Sequence, residues 1–344
     1  MTRSARDTAC ATWQSWDRPC RLLRPPLRRL AAGIALVVAG ACTRDASNPT
    51  PAGAPGDTTA AAASGARRIG VTLLTKEQEF YRQLEAGLRR EAAAKGFRLL
   101  VTSGDFDLAR QQAEIDNFVV QRVDAIIVCP VDSKGIGPAI QRAEAARIPV
   151  FTADIRAYGV SVVSHVASDN QEGGRQAAAF MARAIGGRGT VGIIGQAETE
   201  TGWDRSHAFV AGLAQYPSIH VIGELNGGGV RDRALKVAED MLQGHPDLNG
   251  IFAINDEMAL GALAAARARG RTADNFTIVG YDADPEAVAD IRGHTPLKAD
   301  IVQHPDAIGV GTIDAIARYF THQHVDSLIT IPVVTLDARS EPAK

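Results

Sequence analysis

From Ile69 onward the chain alternates two textures: short β-branched runs that are apolar at nearly every position, and longer stretches whose apolar residues recur at helical period. The first predicts strands at 69–74, 98–102, 125–129, 150–153 and 162–167; the second predicts helices at 80–95, 108–121 and 137–146. Gly96 stands where a glycine ends a helix in a left-handed turn. After Asp169-Asn170 the pattern begins again, with a helix at 173–185 and strands at 190–194, 220–225, 250–254, 277–281 and 298–302. Strands apolar on both faces and linked by helices belong to parallel sheets covered on both sides, so one such pattern written twice predicts an α/β fold of two doubly wound parallel-sheet lobes. A helix at 307–320 and a strand at 331–336 are left over and are expected to cross back and complete each lobe.

Residues 1–67 follow neither pattern. Arg21, Arg24, Arg28 and Arg29 precede an apolar run at 30–41 that closes on Ala39-Gly40-Ala41 before Cys42, the layout of a signal peptide (1–41) with a lipoprotein-type cleavage site. Twelve apolar residues are too few for a membrane-spanning helix, which takes roughly 20. The Arg28-Arg29 pair fits a twin-arginine signal poorly, because leucines flank it. Segment 42–67, rich in Ala, Gly, Pro, Ser and Thr, cannot bury a core and reads as a lipidated flexible tether with a reach of about 25–30 Å. Cys10 and Cys20 would be discarded with the signal and Cys42 would carry lipid, leaving Cys129 alone as a small apolar core residue with no disulfide. Removing 1–41, which holds seven Arg and two Asp, changes 37 basic and 39 acidic side chains into 30 and 37, a net charge of −7 that argues against nucleic acid as a partner.

Ligands of open parallel sheets sit beyond the carboxyl ends of the strands. Here those ends are polar: Thr75, Ser103 with Asp105, Asp154, Gln196, Asn226, Asn255 with Asp256, Asp282 and Gln303. Carboxylates and amides offer acceptors and donors at the spacing of neighbouring hydroxyls, and the rings of Phe80, Tyr81 and Trp203 could cover the C–H face of a sugar. Polar residues after strands also cap helices. Capping is the expectation for Asp256, and ligand contact for Asp154, Asn255, Asp282 and Gln303. Of Phe80 and Tyr81, at the start of one helix, one is expected to pack inward and the other to face the cleft.

Three stretches carry a resemblance: 162–170 (VVSHVASDN), 255–263 (NDEMALGAL) and 279–282 (VGYD). With them the chain from Ile69 onward resembles the ribose-binding type of periplasmic sugar-binding protein, the substrate receptors of ABC importers. The resemblance implies a type I periplasmic binding protein fold with lobes 68–168 plus 304–331 and 169–303 plus 332–340, joined by a hinge. It also implies a sugar held by Asp154 of the first lobe, by Asn255 and Asp282 of the second and by Gln303 at the hinge, with Phe80 and Tyr81 as the aromatic pair and Trp203 and Arg205 in the arginine segment. Ile155, Trp203, Cys129 and Gly229 depart from the family's usual Arg, Arg, Asn and aromatic, which points away from ribose toward another sugar, a polyol or a less polar relative.

The expected partners are therefore a small sugar or polyol, an ABC permease and, through Cys42, a membrane in the periplasm or at the cell exterior, with the protein a monomer. No cofactor, metal or catalytic residue is expected. A repressor on the same core would need a helix-turn-helix where the export signal stands, and Ser168-Asp169-Asn170 lacks the companion motifs of a β-lactamase. The glycines at 186, 187 and 189 precede a strand, the wrong order for a dinucleotide loop, and His322 with His324 reads as solvated surface. A membrane sensor in place of a permease remains an open alternative.

Overall fold

The computed structural model describes residues 65–340; the expected signal segment, Cys42 and all but the last three residues of the expected tether lie outside them. The first half runs β1 (Arg68–Leu73), α1 (Glu79–Ala94), β2 (Arg98–Ser103), α2 (Leu108–Gln121), β3 (Ala125–Val128), α3 (Gly137–Ala145), β4 (Val150–Ala153) and β5 (His165–Ser168). The second repeats it as α4 (Asn170–Ala184), β6 (Gly189–Gly195), α5 (Glu200–Leu213), β7 (Ile219–Asn226), α6 (Arg231–Gly244), β8 (Gly250–Ala253), α7 (Asp256–Ala268), β9 (Thr277–Val279), α8 (Pro285–Arg292) and β10 (Leu297–Val302). Then come α9 (Pro305–Phe320), β11 (Leu328–Ile331) and β12 (Val334–Asp337).

Two six-stranded sheets result, ordered β11-β5-β4-β3-β1-β2 and β12-β10-β9-β8-β6-β7. In each the five strands of one half stand in the same order, with the switch between the first and third, and each sheet gains its sixth strand from the last segment. All pairings are parallel except β12 against β10. The expected single strand at 331–336 is two strands in different sheets. Pro332 has no N–H to give a ladder, so pairing stops there and the chain passes from one lobe to the other. The strand expected at 162–167 is shorter too, beginning at His165. The chain thus crosses between lobes three times, after β5, after β10 and between β11 and β12.

Each lobe has its own apolar core. Ile126, Ile127, Phe151 and Val166 pack between the helices of the first, and Ile193, Phe252, Ile278 and Val279 between those of the second. Helix ends are set by side chains: Asp107, Asp169, Thr199 and Asn255 accept N–H bonds at the starts of α2, α4, α5 and α7. Gly96, at φ +70°, ends α1. Helix α9 belongs to the first lobe, lying so close on α1 that a Cβ on Gly309 would overlap the Leu84 carbonyl and one on Gly87 the Asp306 carbonyl. Cys129 is fully buried, and burial pushes its thiol well above the usual range, so it packs as an apolar residue.

Candidate ligand site

Because both sheets switch order at their centres, the strand tips next to the switch converge on the gap between the lobes. The gap is narrow: its atom-free space, about 370 Å³ including the part open to solvent, leaves a cavity of only about 30 Å³. Seven of the eight residues read from the sequence line it: Phe80, Tyr81, Asp154, Arg205, Asn255, Asp282 and Gln303. Leu74, Gln78, Ile155, Gln196, Thr201 and Ile254 complete the wall.

Asp154 ends β4 with φ +64° and Asp282 follows β9 with φ +123°. Both are backbone conformations that non-glycine residues rarely adopt, a cost accepted where a side chain must be aimed. Asp154 accepts a 2.7 Å bond from the Tyr81 hydroxyl. Phe80 meets Tyr81 edge to face at 5.1 Å, and both rings line the gap, so the expectation that only one would face it is corrected. Two consecutive residues in the first turn of a helix can both reach a cleft that runs across the helix end.

On the other lobe, Arg205 is buried with its guanidinium 3.7 Å above the Tyr281 ring. Its Nε donates to Asn170 Oδ1 at 2.8 Å and its Nη1 to the Ile254 carbonyl at 2.7 Å, and Asp282 stands 3.8 Å from the same Nη1. Tyr281 can lie this close to α4 because Gly173 has no Cβ to meet its hydroxyl. Gln303 donates to Asp282 at 2.6 Å, while its own Oε1 is buried and without a partner. Burial raises the carboxyls of Asp154 and Asp282, and Arg205 opposes the rise in both. Each carboxyl spends one oxygen on its protein bond and keeps a second that can meet a ligand hydroxyl in the gap.

Trp203 is corrected. It is 54% exposed and lies against His207, rings tilted and centroids 3.9 Å apart, outside the gap and among residues of a separate surface groove. At 100° per residue, Trp203 and Arg205 sit about 200° apart on α5, so burying one exposes the other. Asp256 is corrected as well. The cap of α7 is Asn255, whose Oδ1 accepts from Met258 N and whose Nδ2 donates to the Gly229 carbonyl. Asp256 is fully buried, accepts from Asp284 N at 2.7 Å and faces Asp300 beneath the cavity floor. Ser103, Asp105 and Asn226 follow the edge strands β2 and β7, too far from the switch to reach the gap; Ser103 bonds Asp105, and Asn226 bonds Glu198. Thr75 accepts from Glu77 N and stays in its turn.

The residues that sequence reasoning missed are contacts between the lobes. Gln78 Nε2 donates to the Gly229 carbonyl at 2.8 Å, Ser133 N to the Glu198 carbonyl at 3.0 Å and Glu200 N to Ser133 Oγ at 2.9 Å. No sequence pattern marks a residue that meets its partner only across a hinge. Among the described residues no group of three His, Cys, Asp or Glu side chains is placed to hold a metal ion.

Comparison with known proteins bears on the family and the fold. The family model described as periplasmic binding protein domain matches residues 69–324. The ribose import binding protein of Bacillus subtilis is 32% identical over 269 residues, which is 77% of this chain and 85% of that protein. The xylitol-binding protein of Mycolicibacterium smegmatis is 29% identical over 288 residues, 82% of this chain and 80% of that one. A solved ABC transporter periplasmic solute-binding protein from Actinobacillus succinogenes with bound D-allose superposes with a TM-score of 0.73 at 28% identity, over 79% of this chain and 98% of its own. The chain belongs to the periplasmic binding protein family, with the type I fold of two parallel-sheet lobes and relatives of the ribose-binding type.

Proposed function

We propose that this protein captures a small sugar or polyol by closing its two lobes on it and hands it to the permease of an ABC importer. The observation that carries the reading is that polar groups of both lobes face one gap and are not used up by each other: Asp154 beside the aromatic pair, Asp282 beside Arg205, and Gln303 with its carbonyl oxygen unpartnered. A relative named for ribose import, one named for xylitol binding and a neighbour solved with bound D-allose support a polyhydroxylated ligand. Ile155, buried against the gap, offers no hydrogen bond beside Asp154, so this half of the site favours a ligand with an apolar edge there.

A guest that touches both lobes stabilises the shut form by its differential affinity for it. Hydrogen bonds to charged groups contribute roughly 1.5–3 kcal/mol each, so a few of them reach the ~8 kcal/mol of micromolar binding. Capture from outside the cytoplasm, tethered by lipid on Cys42, belongs to the same proposal. A thermal-shift screen over pentoses, hexoses and polyols identifies the ligand, since saturation at 100 times Kd stabilises by about 2.7 kcal/mol. With any hit, Asp282→Ala is expected to weaken binding in calorimetry at least a hundredfold while the far-ultraviolet circular dichroism stays unchanged. Undiminished affinity removes Asp282 from the site.

A further inference from the structure

The lobes grip each other directly as well as through a guest. Beside the ligand gap, Ser133, in the loop after β3, receives the N–H of Glu200, the first residue of α5, and donates its own N–H to the Glu198 carbonyl. The Glu200 side chain lies in this contact, 7% exposed, with Oε1 3.4 Å from Arg156 Nε of the first lobe and Oε2 buried without any partner. A carboxylate oxygen buried and unpaired costs free energy that a proton removes. Opening the lobes would withdraw Ser133 and Arg156 and return the start of α5 to water. We propose that Glu200 is a positioning residue for closure: it sits where the second lobe grips the first, and it takes up a proton as the lobes shut.

The charges around it leave it under-compensated. Arg156, after β4, is its nearest cation and is 37% exposed at the side chain, while Lys134, after β3, lines the neighbouring groove. Facing them are Asp204 on α5 itself, Glu198 after β6, Asp132 after β3 and Asp169 before α4, with Asp154 deeper in the cleft. Tyr158, raised by burial and then by Glu200 and Asp204, and His165, held neutral by burial, add no positive charge near neutral pH. Burial first, then Asp204, pushes the Glu200 carboxyl up from 4.5 to about 7, against the opposing pull of Arg156. A group raised in the shut form favours that form below its open-state pKa, and the advantage disappears as pH rises through about 7. Ligand affinity therefore increases as pH falls between those limits. Asp300, inside the second lobe beside Asp256, contributes equally to both forms, whereas Asp284, raised to about 6 by burial first and then by Glu257, is also raised by Glu79 and lowered by Arg82 of α1 in the first lobe, so it too titrates with closure.

This inference rests on the reading that the lobes close on a guest, and its test separates the two. Calorimetry with D-ribose and with xylitol at pH 5.5 and 7.5 is run on the wild type, Glu200→Gln and Ser133→Ala. The wild type is expected to bind roughly tenfold more tightly at pH 5.5. Glu200→Gln, uncharged at both pH values, is expected to keep the tighter affinity throughout, and Ser133→Ala to bind more weakly at both while retaining the pH ratio. The same pH ratio in the wild type and Glu200→Gln overturns the proposal, because ionisation of Asp154, Asp282 and Asp284 then accounts for all of it. If neither sugar binds the wild type, the choice of ligand has failed, and small-angle scattering of the free protein decides the latch. A radius of gyration that falls from pH 7.5 to 5.5 in the wild type, and not in Glu200→Gln, supports it; an identical response in both overturns it.

Discussion

Beneath the ligand gap Asp256 and Asp300 are both fully buried, and three of their four carboxylate oxygens have no hydrogen-bond partner. Gly280 lies against both carboxyls, where a Cβ would meet Asp256 Oδ1 at 2.6 Å. Two like charges cannot share such a place, so the pair holds a proton between them. Burial is the main cause that lifts Asp300 to about 7. The folded state thus binds a proton that the unfolded chain releases near 3.8, and stability is expected to decline as pH rises from 5 through 7. Asp300→Asn, which carries no charge to bury, is expected to flatten the dependence of Tm on pH between 5 and 8, read by calorimetric scans; an unchanged slope assigns it to other groups. The same residue-level physics explains what the sequence could reveal of the site. Asp154, Asn255, Asp282 and Gln303 are legible because a polar residue at the end of an apolar strand points to the open end of a sheet. Trp203 is misread because about half a helical turn separates it from Arg205, only one of the two can face inward, and the buried Arg205 takes that direction. Asp256 reads as a cap because the choice between adjacent Asn255 and Asp256 depends on where α7 begins, by a single residue.

At the scale of elements, the closest packing in the first lobe is between α1 and α9, which are more than 200 residues apart in the chain. Gly309 and Gly87 let the two backbones approach. Gly309→Val puts a branched side chain against the Leu84 carbonyl, and is expected to cost about 3 kcal/mol, the upper part of the overpacking range. Gly244→Ala, in open space at the end of α6, is expected to be neutral or to stabilise by about 0.5 kcal/mol. Chemical denaturation compares the two, and equal midpoints would show that the helix contact is not what limits the lobe. The parallel strands were legible from their unbroken apolar runs. The strand expected at 331–336 was not, because apolar residues flank Pro332 on both sides and hydropathy does not register a missing N–H. One proline sends β11 and β12 to different sheets.

For the whole molecule, the proposed setting follows from composition more than from the fold. A signal ending just before Cys42 and a polar, small-residue tether would hold the lobes near a membrane without restricting their rotation. Expression in a bacterium that processes lipoproteins, with radiolabelled palmitate, is expected to label the wild type, and Cys42→Ala is expected to abolish the label and release the protein to the soluble fraction. A labelled Cys42→Ala protein would move the lipid to another residue and with it the anchor.

Both sheets receive their final strand from residues 328–337, and the first lobe also waits for α9. During synthesis, then, neither half can finish assembling until almost every other element has left the ribosome, even though the first half was made long before. A nascent chain of this topology is expected to leave the edges of β5 and β10 unpaired for most of its elongation, and to cover them only when its last two strands emerge.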